Sequence, residues 1–117
     1  RRRTILDSLY QSAAARMADV DAVLTPTVAI TPPTLASLQP EGAYPKANMH
    51  ALRNTVIANF LGLCALTLPV GKDAVGMPVG LQVLAGPWQD AKLLAIGQAI
   101  ENELGTGLEI LGQPPVV

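Results

Sequence analysis

The sequence predicts an α/β chain in which short apolar strands are covered by helices, and three observations lead there. Segments of 3.6-residue periodicity alternate with short apolar runs, in the order helix, strand, loop, helix, strand, strand, helix. The strand segments are nearly continuous apolar runs, the pattern of strands covered on both faces. Half of the 117 residues are hydrophobic and only 15% are charged, where an ordinary soluble domain carries about 25% charged residues.

The first helix is expected over residues 4–19, with Ile5, Leu6, Leu9, Tyr10, Ala13, Met17 and Val20 at three- and four-residue spacing. Alanine filling supports it. Asp19 and Asp21 bracket a turn, and Ala22-Val23-Leu24 reads as a buried strand feeding a loop at Thr25-Pro26-Thr27. Residues 26–47 contain Pro26, Pro32, Pro33, Pro40, Gly42 and Pro45 and are expected to be one long irregular loop. A helix follows over 48–60, capped by Asn48, with Met49, Leu52, Val56 and Phe60 on one face, and Gly62 ends it. Ala65–Gly71 and Val79–Gly86 read as two strands joined by a tight turn at Lys72–Gly76, hence an antiparallel pair. The last helix starts at Asp90 as its cap, carries Leu93, Leu94, Gly97, Ile100 and Leu104 as its stripe, and stops at Gly105. Residues 105–117, with Pro114-Pro115, are expected to form a flexible tail.

Composition also excludes classes of function. The net charge of −1 leaves no electrostatic footprint for nucleic acid. The uncharged stretch Asn54–Gly71 is interrupted by Asn59, Gly62 and Pro69, which argues against a membrane span. The single cysteine, Cys64, excludes an intrachain disulfide and reads as a small packed hydrophobe; the single histidine, His50, has no acidic neighbour to make the two a nucleophile and base. No signal peptide is visible, so a cytoplasmic location is expected. A small domain needs more polar surface than this chain has. Its apolar excess therefore points to faces buried against protein outside these residues, to self-association of the chain in isolation, and to a possible homo-oligomer. The start at Arg1-Arg2-Arg3-Thr4, without Met, is read as a cut inside a longer chain.

Three segments in order resemble the amidase-signature enzymes. Asp21-Ala22-Val23-Leu24-Thr25-Pro26-Thr27 is similar to their D-V-L-L-T-P-T strand and loop. Asn59 to Gly71 is similar to N-x-x-G-L-P-A-x-S-x-P-x-G, with Leu63-Cys64 where many members have Leu-Pro. Gly76-Met77-Pro78-Val79-Gly80-Leu81-Gln82 is similar to G-L-P-V-G-L-Q and precedes a helix that starts on an acidic residue. The resemblance covers residues 5–104 and implies a fold class: the C-terminal portion of one mixed β-sheet flanked by helices, residues 1–117 being a fragment of a single amidase domain. The missing N-terminal part of the same chain is then its first partner.

The resemblance implies hydrolysis of carbon–nitrogen amide bonds by acyl transfer, with no cofactor and no metal. A serine attacks the carbonyl, a second serine in a cis peptide relays the proton, a neutral lysine is the base, and a Gly-Ser-rich loop holds the oxyanion. None of these is expected in this chain. Ser8, Ser12 and Ser37 lie outside any Gly-Ser-rich run, and Lys46, Lys72 and Lys92 do not match the family lysine's context. No catalytic residue is therefore assigned, and the chain alone is expected to be inactive. The residues that remain are candidates for the wall of a small-molecule amide site. Thr25 and Thr27 can bond substrate or satisfy the turn's own backbone groups. Asn59 can bond substrate or the backbone near Gly62. Arg53, the sole formal charge between Lys46 and Lys72, can hold a substrate carboxylate in two parallel hydrogen bonds or stand as a surface arginine.

Two other readings stay open. One is a non-catalytic binding or assembly module. The other is a fragment of the A subunit of glutamyl-tRNA amidotransferase, a family member that carries an acidic residue ahead of the Asn; no Asp or Glu occurs here between Glu41 and Asp73.

Overall fold

In a computed structural model the protein is described over residues 2–113. The chain forms α1 (Arg2–Met17), β1 (Val23–Pro26), a 3-10 turn (Ala36–Leu38), α2 (Ala43–Leu52), α3 (Thr55–Leu61), β2 (Cys64–Lys72), β3 (Pro78–Ala85), α4 (Asp90–Leu104) and α5 (Gly107–Leu111).

The three strands make one antiparallel sheet in the order β1-β3-β2. The β2–β3 hairpin turns on Asp73, whose Oδ1 accepts hydrogen bonds from the backbone N–H groups of Val75 and Met77, both at 2.9 Å. A short polar side chain that bonds its own backbone two residues on is a turn former, which is why the apolar run breaks there. The pairing slips between Pro69 and Gly71. Pro69 has no N–H for the ladder, and a bulge absorbs the irregularity.

Side chains opposite one another on paired strands share a face, and successive residues alternate. Leu66 and Val83 thus share one face of the sheet. On that face the core forms around Val83, Ala85 and Leu93, with Cys64, Leu66, Ile96 and Ile100 against it. Cys64 packs as the small hydrophobe expected. Helix α4 approaches closely because Gly97 has no side chain; a Cβ there would lie 2.8 Å from Leu66 Cδ2. An exposed ion pair, Lys92 Nζ to Asp21 Oδ1 at 2.8 Å, links the start of α4 to the turn before β1. The lysine's hydrogen bond, then its charge, holds the Asp21 carboxyl below its ordinary value. On the opposite face, Ala65 and Thr67 of β2 are exposed. Cover on both faces, expected from the apolar strands, is incomplete within this chain.

Several expectations need correction. The single helix over 48–60 is two helices, with a turn at Arg53 and Asn54. Asn48 lies inside α2 and does not cap it. The helix begins five residues earlier, after Gly42 at φ 76°, and takes Pro45 into its first turn, where no backbone N–H needs an intrahelical partner. The loop over 26–47 is therefore shorter and contains a 3-10 turn. Asp90 is the first residue of α4, and Gln89 is its cap. Residues 105–113 of the expected tail hold α5, closed by a reciprocal cap: Glu109 N–H donates to Thr106 Oγ1, and Thr106 N–H donates to Glu109 Oε2. Pro114-Pro115 and the two valines after them lie outside the described residues.

The stop at Gly62 is as expected. The residue is left-handed, at φ 61° and ψ 33°. Leu63 N–H reaches Ala58 O at 3.0 Å and Gly62 N–H reaches Asn59 O at 3.4 Å, the paired closure of a Schellman end. The Tyr10 ring of α1 lies where a Gly62 side chain would be.

Candidate functional site

The β1 exit, the α2–α3 turn and the hairpin come together. Thr25, Gln82 and Thr67 are aligned across β1, β3 and β2 on the face opposite the core. Thr25 Oγ1 donates to Gln82 Oε1 at 3.2 Å, and Thr27 Oγ1 donates to Thr67 Oγ1 at 3.3 Å. Gln82 is the one buried polar residue among those described, 3% exposed. Thr27 is also held through its backbone, its N–H donating to Gly80 O at 2.9 Å. Its hydroxyl lies over Gly80, where a Cβ would come within 2.7 Å of Thr27 Oγ1 and 2.9 Å of Thr67 Cγ2. Glycine at this position is therefore what leaves room for the Thr27–Thr67 contact over β3.

The threonines bond neither turn backbone nor open solvent alone; they bond each other's row. Both are half-buried. Sequence reasoning missed Thr67 and Gln82. The signal was available, since both sit in the motif segments and alternate with the core-facing residues.

Arg53 occupies the turn between α2 and α3 rather than a helix. It is exposed and has no acidic partner among the described residues. Its backbone remains right-handed at φ −52° and ψ −43°, with its N–H on His50 O at 3.4 Å. Asn59 is exposed on α3. Its link to Gly62 runs through its backbone carbonyl, and its side-chain amide makes no hydrogen bond among the described residues. An open, largely apolar cleft of about 510 Å³ lies alongside, walled by Val28, Ile30, Pro33, Ala51, Val79 and Gly80. It joins the segment after Thr27 to the segment before Arg53. The structure thus brings Thr25, Thr27 and Arg53 to one end of the sheet and sets Asn59 further along α3.

Among the described residues no group of His, Cys, Asp and Glu is arranged to hold a metal ion. No helix among them is long and apolar enough to cross a membrane. Ser8 and Ser12 lie on α1, and Ser37 in the 3-10 turn bonds Thr34 O at 2.7 Å.

A family profile described as Amidase matches residues 1–94. The chain belongs to the amidase family.

The chain is 47% identical over 114 residues to 2-amino-5-chloromuconic acid deaminase of Comamonas testosteroni, covering 97% of this chain and 25% of that protein. It is 40% identical over 85 residues to a fatty acid amide hydrolase of Oryza sativa subsp. indica, covering 71% of this chain and 14% of that one. Its fold is similar to part of the A subunit of glutamyl-tRNA(Gln) amidotransferase from Thermotoga maritima, with a TM-score of 0.67 and 28% identity over 97% of this chain and 23% of that chain. The chain thus spans about a quarter or less of the length of these relatives. The three segments singled out in the sequence become three adjacent strands and their turns.

Proposed function

We propose that this chain is the closing part of an amide hydrolase acting on small amides, with the serine pair and lysine supplied by protein outside these residues. The observation that carries the reading is the family membership, together with a polar row and cleft at one sheet end. Thr25 and Thr27 shape the wall through the Gln82 and Thr67 row. The cleft takes apolar substrate surface, Asn59 offers an unused amide, and Arg53 receives a substrate carboxylate. The relative named for 2-amino-5-chloromuconic acid, an acidic compound, supports the role given to Arg53.

The test uses the full-length enzyme and two small amides matched except for a free carboxylate. Arg53→Ala is expected to lower kcat/KM for the acidic amide by roughly ten- to hundredfold, the value of a hydrogen bond to a charged group, and to spare the neutral one. Equal effects on both would end the carboxylate reading. Failure of the full-length protein to release amine from any small amide would end the hydrolase reading. The tRNA-linked amidotransferase is a second reading, favoured by the structural likeness. Glutamine-dependent amidation of misacylated tRNA would select it.

A further inference from the structure

We propose that Asn54 is a positioning residue, pinning the α2–α3 turn to the exit of β1 and so presenting Arg53 to a substrate carboxylate. The inference rests on the carboxylate role given to Arg53 and names the residue that makes that role possible. Asn54 Nδ2 donates to Pro26 O at 2.7 Å, across 28 residues of sequence. The acceptor is a carbonyl, so the amide orientation follows from the bond itself.

Pro26 ends an edge strand, and its pairing on the β3 side is with Leu81. A carbonyl at a strand edge is an acceptor waiting for a donor. Asn54 supplies one, and no other side-chain hydrogen bond ties the α2–α3 turn to the sheet among the described residues. The main packing of the flanking helices lies elsewhere: α2 packs on the 3-10 turn, and α3 packs on α1. Within the turn, Thr55 Oγ1 donates to Leu52 O at 3.2 Å. The turn thus carries one side-chain hydrogen bond of its own and one to the sheet among the described residues. Arg53 stands next to that hydrogen bond with a right-handed backbone and a guanidinium that lacks an acidic partner among the described residues. Such pre-organisation leaves only the side chain to be ordered when a carboxylate arrives.

The test measures the full-length enzyme on the matched acidic and neutral amides, with Asn54→Ala and the near-isosteric Asn54→Asp, which keeps the size and loses the donor. Both are expected to lower the acidic-to-neutral ratio of kcat/KM about tenfold, the value of one well-formed hydrogen bond to a charged partner. The change should appear in KM. In an Arg53→Ala background the same substitutions should leave the ratio where Arg53→Ala alone puts it. Thermal melting of each variant separates folding from recognition. A fall in both rates with an unchanged ratio marks a purely structural residue and overturns the proposal. A ratio sensitive to Arg53→Ala but not to either Asn54 variant overturns it while leaving the carboxylate reading intact. A ratio insensitive to Arg53→Ala overturns both.

Discussion

Substituting Gly62 by alanine tests how α3 hands over to β2. Two separate costs are expected. Gly62 sits at φ 61°, and placing a Cβ in the left-handed region costs about 1–2 kcal/mol. The new methyl would also meet the Tyr10 ring, which already occupies that space. Forcing extra volume into a packed contact typically costs about 1–3 kcal/mol. Together Gly62→Ala should destabilise the folded protein by about 2–5 kcal/mol. Urea unfolding of the full-length enzyme, followed by far-UV circular dichroism, reads this as a lower midpoint at constant slope. Tyr10→Ala separates the two parts. In that background the ring is gone, and Gly62→Ala should cost only the backbone share. If the penalty is the same with and without Tyr10, the packing of α1 against the α3 end is not its cause. If it is below about 0.5 kcal/mol, the level of an ordinary surface substitution, the left-handed closure itself carries no strain and the reasoning fails.

The site predictions are those for Arg53 and Asn54 given above, read in the acidic-to-neutral ratio of kcat/KM. Gly80→Ala should break the Thr27–Thr67 contact, since its Cβ would come within 2.7 Å of Thr27 Oγ1. An overpacking loss of about 1–3 kcal/mol in urea unfolding checks it, and an unchanged midpoint would refute the crowding. The Glu109 carboxyl is held below its ordinary value by hydrogen bonds from the Thr106 backbone N–H and then from its hydroxyl. A group lowered on folding stabilises fully above its unfolded value of about 4.3 and loses that contribution as pH falls through the folded value. Amide protection of α5 should therefore drop as pH falls below about 4 in the native sequence. In Glu109→Gln that pH-dependent drop should be absent.

The two hairpin strands were the legible part of the sequence, because their signals are local; the first strand, expected as a buried run at Ala22–Leu24, forms over Val23–Pro26 with Val23 and Leu24 exposed. Val79-Gly80-Leu81-Gln82-Val83 is an apolar run bounded by a turn on one side and Gly86 on the other, and it forms β3. Gly62 and Gly105 were legible as stops for the same reason, since a left-handed or extended helix exit favours glycine wherever it falls. The break at Arg53 and Asn54 was not legible. Both residues keep right-handed backbones, so nothing in their propensities separates them from a continuous helix. What divides α2 from α3 is hydrogen bonding, to His50 O within the turn and to Pro26 O from across the fold, and the second partner is remote in sequence. The start of α2 was hidden by Pro45, read as a loop residue although a first turn accepts it. The candidate site was half legible. Thr25, Thr27 and Arg53 are brought to one sheet end, while Gln82 and Thr67 were passed over because polar residues inside an apolar strand look like interruptions until the register aligns them.

The strand order has a consequence in time. β3 lies between β1 and β2, although it is the last of the three in the chain. On a ribosome, Val23 emerges about 60 residues before its partner Leu84, which at roughly 5–20 residues per second is an interval of about 3–12 seconds. Throughout that interval β1 has no strand from this segment to pair with, and β2 is waiting for the turn at Asp73 to bring β3 back. Among the described strands the central one is synthesised last, so these three cannot lock together until it arrives. A slow codon run or a nascent-chain pause placed before residue 78 would lengthen the exposure of two unmatched ladders, and one placed after residue 85 would not.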